Sequence, residues 1–139
     1  MVSKVLVAMD GSEVAEQALR YALETHSGAD VTVLTVVGEP SAMFGEATAI
    51  ALAEDPQQSM EEYAQPVLDR AHEIATEYDV RISTEISTGH PARVILNRAD
   101  AFDTVVIGSH GGTLADRLLV GNVAEKVFRC SPVPVTVVR

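Results

Sequence analysis

The stretch "KVLVAMDGSEVAEQALRYALETH", Lys4 to His26, changes period halfway along. Residues 4–10 form a short apolar run rich in β-branched side chains, the kind buried on both faces of a parallel sheet. From residue 13 the apolar positions move to helical spacing, with Ala15, Ala18, Leu19, Ala22 and Leu23 on one face. A strand feeding a helix is therefore the first unit. The strand signal returns in "DVTVLTVV" (30–37), "VRISTEIST" (80–88), "DTVVIG" (103–108) and "PVPVTVV" (132–138). Helical patterns lie between them: Tyr63, Val67, Ala71, Ile74 and Tyr78, then Val94, Ile95 and Ala99, then Val123, Ala124, Val127 and Phe128. Strands alternating with helices predict right-handed crossovers and an open, parallel, five-stranded α/β sheet with helices on both faces.

Two segments interrupt the alternation. Residues 38–58, "GEPSAMFGEATAIALAEDPQQ", mix prolines, glycines and polar residues around an apolar patch. They are expected to form a long excursion with a short helix at 46–53. Pro66 falls inside the second helical pattern, where a proline costs about 3 kcal/mol, so that helix is expected to start near Gln65 or to kink.

Composition narrows the class of function. A chain of 139 residues, 47% apolar, fills one core and is expected to be a single domain over 1–139. Its 20 acidic against 10 basic residues give a net charge of −10, and with three Phe, three Tyr and no Trp there is no basic, aromatic-studded face for nucleic acid. No apolar run approaches the roughly 18 residues of a membrane span, so a soluble, cytoplasmic protein with no membrane partner is expected. Cys130 is the one cysteine, which rules out an intramolecular disulfide; its place on a helical pattern suggests a small buried side chain.

Ligands of open parallel sheets settle beyond the carboxyl ends of the strands. Here those ends are Ala8 to Ser12, Val36 and Val37, Thr88 to His90, and Gly108 to His110. The glycines of "GSHGGTLADRLLVGN" (108–122) belong to this rim. Gly108 and Gly111 allow a positive φ or a close approach to a ligand, and Gly121 with Asn122 precedes the helix "VAEKVFR". A helix N-terminus offers unpaired N–H groups and about half a positive charge, so phosphate is the expected anion. A P-loop is excluded, because no lysine occurs between Lys4 and Lys126. A Rossmann fingerprint would put its glycines where "DGSEVA" stands. A phospho-receiver would need paired acids after strand one, an Asp after strand three and a Lys near strand five; of these only Asp10 is present.

Three blocks, "KVLVAMDGSEVAEQAL", "GHPARVI" and "IGSHGGTLADRLLVGNVAEKVFRCSPVPVTVVR", make the chain resemble the universal stress protein A family over nearly its whole length. The family's ATP-binding pattern, Gly, two residues, Gly, nine residues, Gly, then Ser or Thr, is matched by Gly108, Gly111 and Gly121, with Asn122 where the hydroxyl residue is usual. The resemblance implies a flavodoxin-like, adenine nucleotide alpha hydrolase-like sheet of order 3-2-1-4-5. It also implies that ATP, AMP or ADP binds with Mg²⁺ or Mn²⁺ on the phosphates. Ala8 and Met9 would line the adenine slot with their backbones, Val36 would close its other side, and Asp10 would reach the ribose or adenine edge. Gly108 would lie beside the ribose, and Gly111, Gly121, Asn122 and Val123 would surround the phosphates, with His110 between the loop glycines. As Asn caps a helix as well as Ser does, the anion-facing N-terminus should survive the change at 122. A homodimer through strand Pro132–Val138 and a further, unidentified protein partner are implied as well.

Blander roles compete at several of these positions. Asp10 could cap the helix that starts at Ser12. His110 is better explained by loop packing than by base catalysis. His26, His72 and His90 share no ligand spacing with carboxylates, so no protein metal site is expected. Arg117 could reach a phosphate or pair with Asp116 or Glu125. Met9, Met43 and Met60 fit as gap fillers. Without a convincing base, a nucleotide-responsive regulator is expected in preference to an enzyme; a nucleotide-free adaptor and a slow ATP hydrolase are the alternatives.

Overall fold

The β-branched runs become strands where the expected pattern puts them. β1 (Lys4–Ala8), β2 (Asp30–Val37), β3 (Ser83–Thr88), β4 (Thr104–Gly108) and β5 (Val135–Val138) form one sheet of order β3-β2-β1-β4-β5. All four neighbour pairs are parallel. The computed structural model describes residues 2–37, 56–109 and 121–139, so all but the last three residues of the excursion expected at 38–58, with its helix at 46–53, and Met43, His110, Gly111 and Arg117 lie outside the described residues.

Helices α1 (Glu13–Thr25) and α2 (Pro56–Glu77) cover one face of the sheet, and α3 (Pro91–Ala99) and α4 (Asn122–Cys130) the other. The first layer is closed by Val5, Val7, Val33 and Val106 against Ala18, Leu19 and Ala22 of α1 and Leu68, Ala71 and Ile74 of α2. The second is closed by Leu6, Leu34, Val105 and Ile107 against Ala92, Ile95, Ala124 and Val127. Each Val, Leu or Ile among them contributes about 1.5–3 kcal/mol on leaving water, so the three central strands anchor the rim loops on a stiff base. Ion pairs stitch α1 to α2 across their outer surface. Arg70 Nε donates to Glu16 Oε1 at 2.8 Å, Arg20 pairs with Glu77, and the Tyr78 hydroxyl donates to Glu24 Oε1 at 2.6 Å. At the other end of the sheet Asp103 Oδ2 accepts the N–H groups of Ser3 (2.8 Å) and Lys4 (2.9 Å), which holds its carboxyl below the usual range and ties the start of β1 to the turn before β4.

Several expectations are corrected. The second helix does not wait for Gln65: α2 begins at Pro56 and runs through Pro66. Pro66 lies on the exposed side of α2. Burial of Ala64, Leu68, Ala71 and Ile74 against the sheet outweighs the local penalty. That stripe leaves Tyr63 outside, 43% exposed, and Phe128 of α4 is likewise 49% exposed. Cys130 is exposed, at the last turn of α4 where the helix leaves the sheet. β3 starts at Ser83 because the C-terminus of α2 consumes the residues before it. Asp79 takes φ 56° and the Val80 N–H donates to Ala75. β5 starts at Val135 because Ser131 Oγ bridges both backbone groups of Val133 and makes a turn of residues 131–134.

Candidate functional site

A pocket of about 250 Å³ opens at the carboxyl rim, where the chain leaves β1 for one layer of helices and β4 for the other. Of the ten residues proposed from sequence, eight line it: Ala8, Met9, Asp10, Val36, Gly108, Gly121, Asn122 and Val123. His110 and Gly111 fall outside the described residues. Six more wall residues, Ala15, Leu34, Pro91, Ile95, Ile107 and Ala124, are apolar and were not singled out for the site from sequence. Pro91 and Ile95 could have been found, since they open the helix that follows "GH" at the rim of β3.

Each wall follows from local backbone logic. β1 makes its last bond to β2 from the Met9 N–H to the Leu34 carbonyl, at 3.0 Å. Residues of a parallel strand alternate in the side to which they turn both backbone groups. Leu34 faces β1, and Val37, which accepts from Gly89 at 3.1 Å, faces β3, so Val36 faces the β1 side again. By then β1 has ended and the chain has turned off at Gly11, where φ is +85°. The Val36 N–H and C=O thus stand side by side at the pocket wall as a donor and an acceptor.

Asp10 does not cap α1. Ser12 does, its hydroxyl accepting from Ala15 N–H at 3.2 Å, and α1 starts at Glu13. Asp10 Oδ1 accepts instead from Ser12 N–H at 3.0 Å, which holds the exposed carboxylate at the pocket.

Gly108 is a glycine for a different reason than expected. Its φ is not positive, and a Cβ there would lie 2.9 Å from Val14 Cγ1 and 3.3 Å from the Val14 carbonyl carbon and oxygen. The missing side chain lets the start of α1 pack onto the end of β4, while the rest of the residue borders the pocket.

The role expected for Asn122 is also corrected. Gly121 is the N-cap of α4, with φ −67° and ψ 160° and no side-chain hydrogen bond, and Asn122 is the first helical residue. The first bond inside the helix runs from Glu125 N–H to the Gly121 carbonyl at 2.9 Å, so the N–H groups of the preceding turn precede the ladder. Asn122, Val123 and Ala124 of that turn line the pocket. The turn is pinned to the sheet, since the Gly121 N–H donates to the Ser109 carbonyl and the Ser109 N–H donates to Val138 at 2.7 Å. Glu125, one candidate partner of Arg117, pairs with Arg129 at 2.9 Å.

Polar groups of three kinds therefore meet on an apolar cavity: a peptide edge at Val36, a carboxylate at Asp10 and the open first turn of α4. The family model described as the universal stress protein family matches residues 1–139. The chain belongs to the universal stress protein family. It is 30% identical to the universal stress protein YxiE of Bacillus subtilis over 148 residues, covering 100% of both chains. Among solved structures it resembles the universal stress protein UspA of Lactobacillus plantarum, with a TM-score of 0.78 and 28% identity over 99% of this chain and 98% of that one. It also resembles a universal stress protein crystallised in complex with cAMP, with a TM-score of 0.70 and 25% identity over 99% of this chain and 97% of that one.

A divalent cation fits the described donors poorly. Asp10 is the only carboxylate among the described lining residues, and one of its oxygens is held by Ser12 N–H. Among the described residues no three His, Cys, Asp or Glu side chains gather in one place. No helix among them is long and apolar enough to cross a membrane.

Proposed function

We propose that this universal stress protein binds an adenine nucleotide in the rim pocket and acts in the cytoplasm as a dimeric, nucleotide-responsive regulator. The Val36 peptide carries the reading. One N–H and one C=O, adjacent on an apolar wall, match the acceptor and amino donor on the Watson–Crick edge of adenine. Asp10 is placed for a ribose hydroxyl, and the first turn of α4 for a phosphate. The complex of a related protein with cAMP supports the same class of ligand. The reading is of a regulator rather than a hydrolase, and incubation with labelled ATP tests it: phosphate released above background would make the protein a slow hydrolase. The test is extraction of small molecules from purified protein, with thermal shift on adding AMP or ATP. Recovered adenine nucleotide and a raised Tm are expected. An empty protein that no adenine nucleotide stabilises would leave the adaptor reading in place.

The dimer is proposed through β5, an edge strand. Pro134 and Val138 carbonyls accept from β4, so Val135 and Val137 turn their N–H and C=O groups outward, ready to pair with a second copy. Val137→Pro removes one outward donor while sparing the bonds to β4. Light scattering is expected to show about half the wild-type mass; an unchanged mass would refute the edge pairing.

A further inference from the structure

We infer that a second copy of this chain is held by two helix flanks as well as by the strand between them, with Phe128 of α4 on one face of the sheet and Tyr21 of α1 on the other closing over the paired β5 edges. The inference rests on the β5 pairing put forward above and names what seals it. Among the described residues the exposed large hydrophobic side chains are Tyr21 (38%), Tyr63 (43%) and Phe128 (49%). Two of them flank β5. α1 packs on that strand from one face and α4 from the other. On α1, Glu16 turns to Arg70 of α2, while Val14 turns to Gly108 of β4. Tyr21 lies two helical turns beyond Val14 on the same flank, so it stands on the side of β4 and β5, away from α2. On the opposite face α3 and α4 both run back against the strand direction. Arg98, three residues past the buried Ile95, turns to Glu85 of β3, on the side away from α4. Phe128 follows the buried Val127 by one residue, which is the opposite rotation, and this carries it to the side of α4 away from α3, over the outer edge of β5.

The strand between the two aromatics is apolar on both faces. Val135 and Val137 lie on the side of α3 and α4, Val138 on the side of α1 and α2, and every residue from Val135 to Val138 is only half-buried. Antiparallel addition of a second β5, about a two-fold axis normal to the sheet, continues the sheet and keeps each helical layer on its own side. α4 then lies beside α4 of the second copy, and α1 beside its α1. The bonds from Gly121 to Ser109 and from Ser109 to Val138 set the start of α4 level with Val138. At 1.5 Å per residue, Phe128 stands about 10 Å lower, level with Val135. With Val135 opposite Val137 of the second copy, Phe128 covers that pair of valines, and Phe128 of the second copy covers the other. The strand needs this cover. Its hydrogen bonds contribute only about 0.5–1.5 kcal/mol each, and two copies of net charge −10 repel one another. Aromatic side chains leaving water at the centre of the contact supply the larger part of the attraction.

Sedimentation of the whole chain over a dilution series, for the parent and for Phe128→Ala, Tyr21→Ala and Tyr63→Ala, tests this. All three side chains are exposed, so the fold should hold, and circular dichroism checks that it does. Phe128→Ala and Tyr21→Ala are each expected to raise the dimer dissociation constant at least about tenfold. Tyr63→Ala, on α2 and away from β5, is expected to leave it within about twofold. A Phe128→Ala or Tyr21→Ala protein that associates like the parent would overturn the proposal, as would a Tyr63→Ala protein weakened as much as either. If the parent is a monomer at every concentration, the β5 pairing fails and the seal with it. If Val137→Pro separates the copies while both aromatic variants keep them together, only the seal fails.

Discussion

Val36→Pro is expected to abolish AMP binding, by at least about 100-fold, while the protein stays folded. Proline removes the N–H and puts its ring where that hydrogen pointed, into the space assigned to the adenine edge. At most positions in a sheet this would also break the ladder. Val36 is the exception in β2 because its backbone groups face the gap left when β1 ends, and the bonds to β3 belong to its neighbours. Val36→Ala keeps the N–H, trims only packing, and should weaken AMP by less than about tenfold. Calorimetry with circular dichroism on both variants separates the cases. A folded Val36→Pro protein that binds AMP like the parent would remove the peptide edge from the site.

The second large effect is on stability. Gly108→Ala forces a methyl group against Val14, whose backbone cannot retreat without moving α1, and the expected cost is about 1–3 kcal/mol. For a chain of this length that lowers Tm by about 3–10 °C. Val14→Ala removes the closest clashing atom but leaves the backbone contacts at 3.3 Å. The double variant should therefore cost less than the sum of the singles, by about 1 kcal/mol. The new methyl points at α1, so the AMP affinity of the folded fraction should be unchanged. Strict additivity, or a Gly108→Ala protein of full stability that no longer binds AMP, would return this glycine to the ligand.

How much of this could be read in the chain varies with the scale of the force involved. β2 was legible to the residue, because burial on both faces leaves an unbroken run from Asp30 to Val37. The far end of β1 was overshot, because Met9 continues the apolar run after the pairing has stopped at Ala8, and Asp10 directly follows it. Pro66 misled because a local penalty of a few kcal/mol is visible in sequence, while the seam of Ala64, Leu68 and Ala71 that offsets it is a tertiary fact. Helical periodicity identified which elements are amphipathic but not how wide each buried stripe is, so Tyr63 and Phe128 fell on the wrong side of its edge and Cys130 beyond it. Within the site, glycine spacing located the rim and its residues. It could not distinguish Gly108, small to admit a helix, from Gly121, which caps one.

The bonds from Gly121 to Ser109 and from Ser109 to Val138 run in series from the mouth of the cavity to the outermost strand. A molecule that drew the start of α4 toward itself would load Val138, the last residue of β5, through these two backbone bonds. In the dimer proposed through β5, a nucleotide in the cavity and a second copy on the edge would therefore act on the same pair of bonds, and by reciprocity each would tune the hold of the other.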